Sequence, residues 1–344
     1  MIIKNSNKNH FKSWLDISGV VNEENIEPKV TWDLKTPASL ISKAVGVNQM
    51  RELHEANKWI DILLILSAWV FFLATWYIIA TIDFGFSTLL LMILQGAILG
   101  NYFYAIRHDT LMHRQFGGSK FSYILGISMS IPMLNTYTRF LKHEDHHFHV
   151  GYDLFEEHIA EMDTVWKRWL GITGIGLILL YLGKLKPKGS SKPNGNWKDP
   201  EIIHEASKLE GLLLLFWFIG IIVLAFFFPY SVIMGYIIPT IIVMPALLSV
   251  KNATQHSETD VNNNMHLSAY FKANLFIRVL YCCSLGDVHL VHHIFPKIPF
   301  WKTPKAARIF EETIEAHGVP KRTFTEVLIG YYFQGMPYRK RWTK

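Results

Sequence analysis

Cysteine is almost absent: the 344 residues hold two, Cys282 and Cys283. Adjacent cysteines rarely bridge, so there is no disulfide framework and no four-cysteine zinc or iron–sulfur site. Lysine and arginine number 34, yet none falls in residues 59–106 or 211–250, and the second stretch has no charged side chain at all. Soluble core helices rarely run so long without charge. One bilayer crossing needs roughly 20 apolar residues, so each stretch holds two crossings joined by a turn. The turns fall near Asp83-Phe84-Gly85 and Pro229-Tyr230-Ser231. The first ten residues, MIIKNSNKNH, have no apolar core, so a cleaved signal peptide is not expected. No internal repeat is evident.

The placement of charge orients the chain. Both hairpin turns lack Lys and Arg: all 34 lie outside the two apolar stretches, in a chain whose net charge is +6. The positive-inside rule then puts the N-terminus, residues 107–210 and the C-terminus on the cytoplasmic side. The basic tail Arg339-Lys340-Arg341 and the 184–192 stretch face anionic headgroups. No nucleic acid is expected as a partner, because no aromatic-basic groove pattern accompanies these charges.

The expected fold is an all-α integral membrane protein. Four transmembrane helices, near 59–82, 87–106, 211–228 and 232–250, form two hairpins beneath a cytoplasmic helical cap. Residues 1–58 read as a cytoplasmic N-terminal segment, 59–300 as the membrane catalytic domain and 301–344 as a cytoplasmic C-terminal segment. Two shorter apolar runs, 121–135 and 169–183, lie between the hairpins. The second, flanked by Lys167-Arg168-Trp169 and Lys184, suits a helix lying in the interface. Parity supports this, because a single crossing there would separate histidines that must share one face of the membrane. Residues 184–200 read as a flexible loop, and 265–285 as another surface-lying helix.

What the chain has in excess is clustered histidine. His108 and His113 form one pair. His143, His146 and His147 form a second group, and His289, His292 and His293 a third; His256 follows Asn252 by four residues. Imidazole is the commonest metal ligand among side chains. Both HxxHH groups place their rings at i, i+3 and i+4 on one helical face, and Asn252 and His256 share a face likewise. His108 and His113 stand about 140° apart on an ideal helix, so they reach different metals unless the helix end unwinds. All nine sit at cytoplasmic membrane edges. Nine imidazoles exceed what one zinc takes, whereas two irons with open positions for oxygen fit the count. Metal-bound histidines usually donate their second N–H to a carboxylate or carbonyl. Asp109, Glu144, Asp145, Asp153 and Asp287 are near enough in sequence to serve. His149 falls on the other side of an ideal helix from His143. His10, His54, His158, His204, His266 and His317 read as ordinary surface or interface histidines.

These motifs resemble those of the membrane fatty-acid desaturase–hydroxylase superfamily. The matching segments are HDTLMH (108–113), HEDHH (143–147) and HLVHHIFPKIP (289–299), and the HHxFPxxP phrase resembles the acyl-lipid desaturase branch most. NATQH (252–256) looks like that family's additional element, in which the histidine is a ligand and the asparagine approaches iron through water. The resemblance covers roughly residues 60–300. It implies a non-haem di-iron centre held by the nine histidines, with dioxygen as co-substrate. The chain departs from the pattern in two places. Four residues separate the first-box histidines where three are frequent, and Gln255 stands where many members have Glu.

No His-Pro-Gly-Gly haem motif, GxGxxG flavin signature or four-cysteine set is present. Electrons are therefore expected from a separate carrier, a ferredoxin or a small cytochrome with its reductase, which the basic face would suit. The expected reaction introduces a double bond into the acyl chain of a lipid or fatty acid. The alternatives are a hydroxylase or ketolase of an alkyl or isoprenoid lipid, and a zinc-binding membrane hydrolase or metal carrier. A carrier should place ionisable groups at mid-membrane, and only Asp61 and Asp83, near helix ends, interrupt the apolar stretches. Trp76, Gly96, Gly100 and Tyr104 are candidates to line a channel for the acyl chain.

Overall fold

The computed structural model describes residues 35–109, 120–136, 165, 168–169, 173, 200–255, 259–260, 263–266, 268, 270–278, 280, 287–334 and 339–340. Among these, four helices are long and apolar enough to cross a membrane: Val47–Thr81, Phe86–Asp109, Ser207–Phe227 and Pro229–Lys251. They cover the four expected spans, and the first range joins the helix Val47–His54 to the spanning helix Lys58–Thr81.

Local chemistry sets the span ends. Asn57 caps the first long helix, Lys58–Thr81, its side chain accepting from Trp59 N at 3.0 Å and Ile60 N at 3.4 Å. The first hairpin turns at Asp83–Gly85, where Thr88 Oγ1 donates to Asp83 O at 2.8 Å and accepts from Gly85 N at 3.3 Å. The third helix begins earlier than the apolar run, at Pro200, and continues to Phe227. Proline suits both that start and the start of the fourth span at Pro229, because a first-turn N–H has no helical partner to lose. Tyr230 Oη donates to Ile82 O at 3.2 Å, so the two turns lie together at one end of the bundle.

Leu63, Leu66, Phe71, Leu215, Phe216 and Ile222 all face outward. A continuous apolar surface of this kind is the lipid face of a membrane protein. Inside, the spans meet by close approach. A Cβ on Gly96 would stand 2.5 Å from Val243 Cγ1, and one on Gly235 2.3 Å from Trp76 Cδ1. Trp76 lies stacked on Tyr236, 5.3 Å between ring centroids, and its indole N–H donates to Ser231 O at 2.9 Å. The Tyr236 hydroxyl accepts from Trp217 Nε1 at 2.7 Å and donates to Pro132 O at 3.0 Å. Trp76, Gly96 and Gly100 thus serve helix packing, and span four fills the space beside both glycines. Spans two and four also contain π-helical turns, at Ile98–Phe103, Ile233–Ile237 and Pro239–Val243. Pro239 supplies no N–H to the helical ladder, which loosens the register there.

Outside the spans, the 121–135 run forms helix Lys120–Ser130 and the 3₁₀ turn Ile131–Met133, closed by Leu134 at φ 53°. Only Trp169 and Thr173 of the 169–183 run are described, and of 184–200 only Pro200. The surface helix expected over 265–285 is not a single helix. Phe271–Lys272 pairs in parallel with Arg322–Thr323, and Asn274 caps only the short turn Leu275–Ile277. Apolar spacing signals burial there, but strand pairing takes the backbone.

The helices Lys35–Val45, Val47–His54, His289–Ile294 and Thr303–Ala316 share one core, with Ile41, Leu53, Leu290, Val291, Phe310 and Ile314 buried in it. Helix Phe324–Tyr332 joins Val250 of span four in another.

Candidate metal centre

His108 closes the second span at the end opposite the hairpin turns. His289, His292 and His293 stand on the helix His289–Ile294, whose remaining residues Leu290, Val291 and Ile294 are buried in the adjoining core. All four imidazoles are buried, His292 and His293 at 0% exposure. The two motifs meet: the His108 and His292 ring centroids are 4.4 Å apart. His289 and His293, one turn apart, bring their Nε2 atoms to 3.0 Å. Two nitrogens each bound at about 2.1 Å to one ion, near a right angle, sit about 3 Å apart, so this pair fits a shared divalent metal. Burying four polar rings among apolar side chains is costly unless their nitrogens are engaged. Among the described residues no three His, Cys, Asp or Glu side chains close on a single point.

The other expected ligands, His113, His143, His146, His147 and His256, lie outside the described residues, as do Asp145, Glu144, Asp153 and His149. Asn252 lies on helix Met244–Gln255, one turn before the expected His256. The next residue but two, Gln255, is buried with its Nε2 3.4 Å from His289 Nδ1, linking span four to the third histidine motif. Its carbonyl accepts from Ser268 Oγ at 2.7 Å. In the sequence Gln255 stood out only as a departure from the family pattern.

Two expected carboxylate helpers have partners of their own. Asp109 Oδ2 accepts from Phe300 N at 3.1 Å, tying the end of span two to the segment after the third motif. Asp287 pairs with Arg278, its Oδ2 at 2.7 Å from Nε and 2.6 Å from the terminal nitrogen. Burial pushes the Asp287 carboxyl above the usual carboxylate range despite that close guanidinium, which pulls the other way. Asp287 O also accepts from Phe271 N at 3.0 Å, so this residue fixes the start of the histidine helix to the short parallel pairing.

One further side chain lies against His108, and two cations lie against that one in turn. Tyr104 stacks on the imidazole, centroids 5.5 Å apart and planes at 17°. Arg107, fully buried, donates to Ser130 Oγ at 3.1 Å. Lys251 puts its ammonium over the Tyr104 ring. Of these only Tyr104 was legible as a candidate, one turn before His108. Lys251 left a faint signal as the first charge after a long neutral run. His266, read as a surface or interface residue, is buried.

A profile of the family described as fatty acid desaturase matches residues 86–325, most of the chain. The chain belongs to the fatty acid desaturase family. No curated protein gives a significant match. Membership of this family, with the four apolar helices, makes the chain an integral membrane oxidoreductase that modifies lipid, in a family that works through a non-haem di-iron centre and dioxygen. The matched region contains spans two, three and four, every histidine motif and the Arg278–Asp287 pair.

Proposed function

We propose that this desaturase-family protein introduces a double bond into the acyl chain of a membrane lipid. The observation that carries the reading is the buried meeting of His108 with His292, from motifs far apart in sequence, beside the 3.0 Å pair His289 and His293. In this reading nine imidazoles hold two irons: His108, His113, His143, His146, His147, His256, His289, His292 and His293. Asn252, by the family resemblance, would support one iron through a water. Asp109, Asp145 and Asp287 support the ligands from behind, Asp109 and Asp287 by fixing the backbone that carries them. The unit 59–300 carries the chemistry, and 1–58 and 301–344 flank it.

The bound irons supply the oxidising power to remove two hydrogens from an unactivated pair of methylenes. The balance is one –CH₂–CH₂– unit, O₂, two electrons and two protons giving –CH=CH– and two waters. The chain's own residues hold the rings in a dry site and shape the protein around the acyl chain. Electrons come from a separate ferredoxin or small cytochrome. The HHIFPKIP phrase supports desaturation over hydroxylation. Purified protein supplied with iron, a reduced ferredoxin and ¹⁸O₂ should yield an unsaturated acyl chain with no label in the lipid. Label recovered in an alcohol or ketone product would replace desaturation by hydroxylation.

The active site and both termini are assigned to the cytoplasmic side. In a background lacking Cys282 and Cys283, a cysteine at exposed position 321 should react with an impermeant thiol reagent only from the cytoplasmic face. A cysteine at exposed Phe84 should react only from the other face. The reverse pattern at either position refutes the orientation.

A further inference from the structure

We propose that Lys251 is a positioning residue for the metal centre: its ammonium on the face of Tyr104 holds that ring against His108 and so fixes the imidazole's orientation. This rests on the reading of His108 as an iron ligand.

A lysine at a membrane edge ordinarily extends its ammonium to water. Lys251 does the opposite. It is 3% exposed and turned inward, with Nζ 3.4 Å from the centroid of Tyr104 and 3.5 Å from Gly100 O in span two. A cation set on a tyrosine face away from water is at the strong end of such interactions. The Tyr104 ring is nearly parallel to His108, 5.5 Å between centroids, an offset stack. A second cation, Arg107, stands 5.6 Å from the same ring and is itself held by Ser130. Gly100 lets the spans come this close, since a Cβ there would stand 3.0 Å from Met244 Cγ. Lys251 therefore fastens the end of span four to the end of span two, where Tyr104 backs His108. A ring that must bind metal in one orientation gains from such backing.

The test is Lys251→Met in the full-length, iron-loaded protein, which keeps length and removes charge. Iron content and thermal unfolding should stay near wild type, and KM for the lipid should hold within about twofold. Turnover should fall about tenfold or more, as misplaced reacting groups do. The ligand-field bands of the ferrous centre in near-infrared magnetic circular dichroism should shift. Tyr104→Leu should reproduce both changes, Tyr104→Phe should recover most of the lost rate, and the Lys251→Met/Tyr104→Leu double variant should be no worse than either single one. Wild-type turnover and spectrum in Lys251→Met, or additive losses in the double variant, overturn the proposal. Should Lys251→Met fail to fold, the Tyr104 pair decides: an unimpaired Tyr104→Leu overturns it. His108→Ala separates the two levels. If that variant keeps its iron, the ligand assignment itself fails. If it loses iron while Lys251→Met behaves as wild type, only the role of Lys251 fails.

Discussion

Replacing His292 by alanine should leave a folded membrane protein that has lost bound iron and at least about a hundredfold of its turnover, more than the outer-shell losses of 10–100-fold. Folding should survive because the helix His289–Ile294 is held by Leu290, Val291 and Ile294, each buried in the core shared with Phe310 and Ile314. The imidazole contributes little to that packing and faces His108 instead. Its removal opens a cavity but relieves the burial of a polar ring, so the unfolding temperature of the iron-free protein should change little. Iron content, by metal analysis of purified protein, separates a ligand from a packing residue. His146→Ala and His256→Ala should behave the same way, and His149→Ala, His158→Ala and His317→Ala should keep most activity. Iron and turnover retained in His292→Ala would remove the third motif from the ligand set.

The spans were legible because the bilayer demands long neutral stretches, and 59–106 and 211–250 have almost nothing else to signify. The meeting of His108 and His292 was legible only as chemistry, since matching ligand types had to converge. Their buried surroundings were not legible. Lys251 reaches back to Tyr104 and Gly100 across two spans, and no local periodicity encodes such a contact. The π-helical turns of spans two and four also escaped, although Pro239 marks one of them in the sequence. Asp287 was noticed for its nearness to His289, two residues on. Its ion-pair partner is Arg278, placed by the turn after Asn274 and by the pairing of Phe271 with Arg322. The same pairing explains why 265–285 is not one helix. In each case tertiary contacts settled what the local pattern left open.

That ion pair is the structural weak point of the third histidine motif. Removing one partner of a fully buried pair costs about 3–5 kcal/mol, because a charge is left in the interior without compensation. Asp287 is fully buried, but the Arg278 side chain is 30% exposed, so solvent already screens part of the attraction. Burial also favours the neutral carboxyl, which can take up a proton when Arg278 is gone. Arg278→Ala should therefore cost about 2–3 kcal/mol, below the full range for buried pairs. Asp287→Asn should cost less, about 1–2 kcal/mol, since an amide keeps a hydrogen-bond acceptor for the guanidinium and leaves its positive charge partly in water. The order is the informative part, because it follows from which partner is more deeply buried. Denaturant unfolding of the purified protein in detergent measures it. Iron content should fall in Arg278→Ala as well, because Asp287 O holds Phe271 N and the helix bearing His289 begins two residues later. Equal costs for the two variants would show that the carboxylate is not the buried member of the pair. An unchanged iron content would show that this anchor does not govern the histidine helix.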